Sequence, residues 1–152
     1  MRKIYLASSW RNPQYESILA VLRGDGHSVY DFKEEGFGWA DISPAWLNWT
    51  PEEFTEAVVS PKAVAHFKTD HAALDWADTC VLLLPCGRSA HLEAGYAIGQ
   101  GKETYFLLHP DKFEPELMYL LGGRHCMFTD LDDLRAQLCF PLIRPQHLRV
   151  KV

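Results

Sequence analysis

Short apolar runs alternate along the chain with longer stretches in which apolar residues recur every three or four positions, the pattern of parallel strands joined by crossover helices. Ile4-Tyr5-Leu6-Ala7 predicts a first strand. Pro13 suits a first helical turn, Ile18, Leu19 and Leu22 follow at helical spacing, and Gly24 and Gly26 supply the stop. His27 to Phe32 predicts the second strand. Thr79 to Pro85 is an uninterrupted run, as expected of a central parallel strand covered on both faces. Ser89 is placed to cap the next helix, which carries Leu92, Tyr96 and Ile98 and ends near Gly99 to Gly101. Thr104 to Leu108 predicts a fourth strand, Glu114 to Leu121 a helix, Cys126 to Thr129 a fifth strand, and Leu131 to Leu138 a last helix capped by Asp130. The class is α/β, with a five-stranded, mostly parallel sheet.

The segment from Lys33 to Thr50 breaks the alternation. Gly36, Gly38 and Pro44 stand there among Phe37, Trp39, Trp46 and Trp49, too aromatic a mixture for a solvated linker, so a structured loop or lid is expected. Thr50-Pro51-Glu52-Glu53 has the form of a capping box with proline at the first helical position, and Ser60-Pro61 opens another helix towards Trp76. The tail after Pro141, with Arg144, His147, Arg149 and Lys151, is either a solvated or docked terminus or an interface element.

A length of 152 residues suits a single domain over 1–152 with a core of its own. At 47% apolar and 23% charged residues the chain has an ordinary globular composition, which argues against disorder. A net charge of −5 disfavours nucleic acid polymers, whose affinity comes from Lys and Arg on phosphates, and favours a small-molecule partner. Cys80, Cys86, Cys126 and Cys139 lack paired metal-ligand spacing, so no metal is expected. The stretch after Met1-Arg2-Lys3 reaches Ser8-Ser9 too soon for a signal peptide, and no run approaches a membrane span. The expected location is cytoplasmic, with no membrane contact.

Ligands of open α/β sheets bind beyond the carboxyl ends of the strands, which selects Ser8-Ser9-Trp10-Arg11, Asp31, Cys86 to Glu93, and His109. The third is the sharpest, since a Gly87-Arg88-Ser89 turn feeding a helix presents amides and a positive dipole to an anion. Glu93 in the first turn or so of that helix is either an ionised carboxylate nucleophile or a glutamate that merely satisfies the helix end. Asp70 is a helical carboxylate, solvated or functional, and Asp78 suits a turn. Arg88 either reinforces an anion site or is solvated, and His91 either acts on substrate or lines the helix.

In order and spacing, three blocks resemble the nucleoside 2-deoxyribosyltransferase superfamily, which includes the nucleoside 5′-monophosphate N-glycosidases. They are Lys3-Ile-Tyr-Leu-Ala-Ser-Ser-Trp-Arg11, Asp70-His-Ala-Ala-Leu-Asp-Trp-Ala-Asp78, and Ser89-Ala-His-Leu-Glu-Ala-Gly-Tyr-Ala97 followed by Gly101-Lys102. The resemblance implies one domain of that type, with a flavodoxin-like (Rossmann-like) three-layer sandwich. It implies that Glu93 attacks the anomeric carbon, that the base departs, and that a covalent ribosyl-enzyme passes the sugar to water or another base. Asp70 then handles protons at the leaving base and helps orient the sugar, Tyr5 holds the nucleophile by a hydrogen bond, and Ser9 and Arg11 match positions that help hold a 5′-phosphate. No cofactor is implied, and a homodimer or higher homo-oligomer is. Trp39 and its aromatic neighbours are candidates to stack the base, or else fill core beneath the loop.

Two departures alter the expectation. Arg88 and His91 intrude where the monophosphate hydrolases have small residues, so phosphate is bound differently or not at all. The transferases' asparagine or carboxylate from a neighbouring subunit has no match, which favours hydrolysis over transfer. The alternatives are a non-catalytic nucleotide-binding or sensor module on the same fold, and cleavage of a ribosylated or dinucleotide cofactor. An electron-transfer flavodoxin is disfavoured, because no Thr/Ser-rich phosphate loop follows the first strand.

Overall fold

A computed structural model describes residues 1–34 and 36–141. The tail residues Arg144, His147, Arg149 and Lys151 lie outside the described residues. The chain divides into two compact units, one of residues 1–31 and 76 onward, the other of residues 32–75.

The first unit holds the sheet. Its strands are β1 (Lys3–Ala7), β2 (Ser28–Tyr30), β3 (Thr79–Leu83), β4 (Glu103–Leu107) and β5 (Met127–Phe128). All pair in parallel, in the order β2-β1-β3-β4-β5, so the sheet is entirely rather than mostly parallel. Such a sheet is stable only with both faces covered, and β3 is buried at every position. Its helices are α1 (Tyr15–Gly24), α4 (Arg88–Gly99) and α5 (Leu131–Cys139); α2 (Pro51–Val58) and most of α3 (Pro61–Trp76) fall in the other stretch of chain. The crossover from β1 to β2 and the one from β3 to β4 step in opposite directions, so right-handed connections put α1 and α4 on opposite faces. This is the flavodoxin-like arrangement.

Several expected boundaries move. The second strand is three residues, not His27 to Phe32, and the fifth is two residues, not Cys126 to Thr129. Helix α1 begins at Tyr15, leaving Pro13 in the preceding loop, because the Asn12 side chain already turns the chain by accepting from the Gln14 amide (2.9 Å). Glu114 to Leu121 is not an α-helix; a 3₁₀ helix spans Leu117–Gly122, its start capped by the Glu116 carboxylate on the Met118 amide (2.9 Å). Ser89 is not the cap of α4: Gly87 is, and Ser89 lies inside the first turn. The face that α4 buries consists of Ala90, Ala94 and Ala97, whose small side chains let the helix lie close to the sheet, while Leu92 is 76% exposed. Asp130 does cap α5, accepting from the amides of Asp132 and Asp133.

The amino edge of the sheet is closed by Arg2, a buried guanidinium that donates to the Leu138 carbonyl (2.8 Å), Thr79 Oγ1 (3.1 Å), the Glu103 carboxylate and the Phe140 carbonyl (2.9 Å). Such a pairing offsets the cost of desolvating the charge. Asp78 behaves as a turn residue, accepting from the Lys3 amide and from Thr79 Oγ1.

In residues 32–75 the long loop is structured by two 3₁₀ turns, Trp39–Asp41 and Trp46–Asn48, followed by α2 (Pro51–Val58) and most of α3 (Pro61–Trp76). The capping box forms as expected: Glu53 N–H donates to Thr50 Oγ1 (3.2 Å), and Thr50 N–H to Glu53 Oε2 (2.7 Å). Trp39 packs edge-on against Phe37, Trp49 and Phe54 at centroid separations of 5.0, 5.7 and 5.6 Å. Among the described residues, no helix is long and apolar enough to cross a membrane.

Candidate active site

The strand order reverses between β1 and β3, and in open parallel sheets the crevice beyond the carboxyl ends there is the ligand site. Two loops border it, residues 8–14 after β1 and residues 84–87 after β3. They are laced together. Ser8 Oγ donates to the Leu83 carbonyl (2.9 Å), and the Asn12 amide donates to Ser8 Oγ (3.1 Å) and to the Pro85 carbonyl (3.2 Å), with a longer approach to the Leu83 carbonyl (3.4 Å). Asn12 is 4% exposed. Ser9 is half-buried and accepts from the Arg11 amide (3.2 Å), while Arg11 is exposed.

Tyr5 is fully buried on β1 and stacks on Tyr30 of β2 at 5.4 Å. It is the register partner of Cys80, so the two side chains share one face of the sheet. Glu93, half-buried on α4, is three residues beyond Ala90 and four before Ala97, which turns it towards that helix's sheet-facing side. Its charge is felt at Cys80: burial first and Glu93 second raise that thiol's pKa, while Lys102 opposes them. Because α4 starts at Arg88, Glu93 is its sixth residue and not in its first turn; the helix dipole, which acts over the terminal turn, has less hold on it than the sequence suggested.

Gly87, Arg88 and Ser89 stand exposed at the amide end of α4. Gly87 has extended backbone (φ −94°, ψ −171°), and a methyl group on its Cα would meet nothing within 4 Å. His91, two residues before Glu93, points elsewhere. Its Nδ1 bonds the Gly87 carbonyl (2.9 Å) and its Nε2 bonds Tyr119 Oη (2.9 Å). A carbonyl only accepts, so Nδ1 carries a proton; in the neutral ring Nε2 accepts from the tyrosine. Tyr119 stacks on Phe106 of β4 at 4.2 Å. Cys86 Sγ lies 3.6 Å from His91 Nδ1, but this is no thiolate pair: burial, then the Glu93 charge, pushes the Cys86 thiol up to about 12. Leu84, Pro85, Cys86, His91 and Tyr119 form the wall of a cleft of about 400 Å³ that also meets Lys112 and Phe113.

Asp70 on α3 is half-buried, and Trp39 is half-buried within its cluster of rings; both belong to residues 32–75. Two other residues after strands have local duties. Asp31 accepts from Tyr15 Oη (2.9 Å), fastening α1 to the end of β2, and His109 Nδ1 accepts from the Asp111 amide (3.1 Å).

No protein-family model matches the sequence, and no curated protein is significantly similar to it. Solved structures are. A 2-deoxyribosyltransferase of Bacillus psychrosaccharolyticus, described as a biocatalyst for nucleoside synthesis, aligns over 86% of this chain and 88% of its own, with TM-score 0.56 and 25% identity. A CMP N-glycosidase of Clostridium botulinum shares the fold over 90% of this chain and 98% of its own, with TM-score 0.50 and 17% identity. The chain belongs to the nucleoside 2-deoxyribosyltransferase superfamily. The hydrogen bonds around the β3–α4 turn also bring in Asn12 and Tyr119, which the sequence reading did not single out. Asn12 carried one weak signal, its place before a proline in a turn. Tyr119 carried none, since its partner His91 lies 28 residues away.

Proposed function

We propose that this protein cleaves or transfers the N-glycosidic bond of a nucleoside or nucleoside 5′-monophosphate, with Glu93 as nucleophile. The observation that carries this is the placement of a half-buried carboxylate on α4, at the strand-order reversal of a fold shared with a 2-deoxyribosyltransferase. The Glu93 carboxylate attacks C1′ as the C1′–N bond breaks; its electron pair leaves with the base, which takes up a proton in a step assigned to Asp70. The resulting ribosyl ester is opened by water in hydrolysis or by a second base in transfer, and the carboxylate is restored. Tyr5 holds the nucleophile, Ser9, Arg11, Arg88 and the Gly87–Ser89 amide end face the sugar's 5′ side, and Trp39 stacks the base.

Free base released from a panel of nucleosides and 5′-monophosphates, with and without a second base as acceptor, tests this. Wild type is expected to release base from at least one substrate, and Glu93→Gln, which keeps the shape but not the nucleophile, to lose at least about a thousandfold in kcat. Equal rates in the two proteins would remove Glu93 from the mechanism. No release by a folded wild type, with ligand still raising its melting temperature, would favour a binding module. Exposed Leu117, Met118, Leu120 and Leu121, which stand together on one short 3₁₀ helix, support the homodimer or higher homo-oligomer implied by the resemblance. Light scattering giving a monomer at micromolar concentration would overturn it.

A further inference from the structure

The connection between β3 and α4 is four residues long, and it sets where the amide end of α4 stands and where Glu93 falls. Leu84 N–H donates to the Leu107 carbonyl (3.0 Å), and the Leu83, Pro85 and Gly87 carbonyls each take a side-chain partner. Those partners come from two sides. From the β1 side, Asn12 has its Oδ1 taken by the Gln14 amide, which leaves its NH₂ turned onto Ser8 and the Pro85 carbonyl. From the β4 side, His91 donates Nδ1–H to the Gly87 carbonyl, and its ring is kept from turning by the Tyr119 hydroxyl and by its near-parallel stacking on Tyr119 (5.9 Å, 15°).

We propose that Asn12 and His91 are positioning residues that clamp the β3–α4 turn from opposite sides, holding the Ser9–Arg11 loop and the α4 amide end in the spacing that binds substrate. This rests on the proposed N-glycosidic reaction. Neither side chain touches substrate. Asn12 acts through the loop of Ser9 and Arg11 and through Pro85, and His91 through Gly87.

Asn12→Ala removes one side of the clamp, and His91→Phe removes the other while keeping a ring against Tyr119. Each is expected to raise KM about tenfold, the worth of one buried hydrogen bond, with kcat within about twofold of wild type. Since both hold the same turn, the double variant should depart from the product of the two single effects. Hydrogen exchange supplies a readout independent of activity. Amides of residues 85–90 should exchange faster in both variants, while β1, β3 and α5 keep their protection. Wild-type KM together with wild-type exchange at 85–90 overturns the proposal, and so does faster exchange spread over the whole sheet, which would mark a merely structural role. A wild-type protein that releases no base overturns the N-glycosidic reading instead; the two failures are told apart because exchange needs no substrate.

Discussion

At the scale of single residues, Gly87 separates what the fold needs from what a ligand needs. Its backbone lies in a region any residue adopts, and the space where a Cβ would stand is open. Among the described residues nothing sterically excludes a side chain there. A bound group that approaches the amide end of α4 would demand glycine, because a methyl group would stand in its path. Gly87→Ala is expected to lower the unfolding free energy by no more than about 1 kcal/mol, because alanine is a poorer helix N-cap than glycine while the lower entropy of the unfolded chain works the other way. KM for the substrate should rise by about tenfold, as for one displaced hydrogen bond. A thermal melt and a substrate titration on the same preparation check both halves. An unchanged KM would move the substrate away from this turn. Glu93 shows the same separation: the sequence offered helix-dipole stabilisation as the reason for a carboxylate, but at the sixth position of α4 that reason weakens, and its placement towards the β1–β3 crevice takes over.

At the scale of elements, what was legible in the sequence obeys local rules. The apolar runs of β1, β3 and β4, the Thr50–Glu53 capping box and the Asp130 cap are set by side chains within a few residues of one another, and all are present. The alternation of strand and helix also sufficed for a parallel α/β sheet. What was not legible depends on distant partners. The start of α4 was misplaced because a glycine cap leaves no side-chain signal, whereas Ser89 offered a false one. Leu92, Tyr96 and Ile98 are the large apolar residues of α4, yet closeness to the sheet selects Ala90, Ala94 and Ala97 as its buried face. The leucine-rich stretch after Glu116 has helical composition, but Leu117, Leu120 and Leu121 are exposed and only Tyr119 is buried, so no apolar stripe holds an α-helix in place. The Asn12 bonds to the β3–α4 turn span 71 and 73 residues, beyond any periodicity.

At the scale of the whole molecule, the two edges of the sheet divide the work: the carboxyl edge carries the candidate chemistry, and the amino edge carries stability through Arg2 and His27. His27 is 7% exposed, and its Nδ1 accepts the Arg2 backbone N–H (3.2 Å). A backbone amide only donates, so the neutral ring carries its proton on Nε2, which is buried without a partner among the described residues. Taking a second proton would forfeit the Nδ1 bond. Burial chiefly, then the terminal amino group and Arg2, hold the His27 pKa below its ordinary value against the opposing pull of Asp25 and Asp78. A base whose folded pKa is depressed binds fewer protons in the folded state than in the unfolded one. Its contribution is therefore complete above the unfolded value of about 6.5 and is lost as pH falls from there towards the folded value. His27→Asn keeps an acceptor for the Arg2 amide but does not titrate. Between about pH 7.5 and pH 5.5, which bracket the unfolded histidine value, the wild-type thermal midpoint should fall further than that of the variant. Parallel pH profiles for the two proteins would mean that His27 gains its proton without loss, and acid sensitivity would have to arise elsewhere.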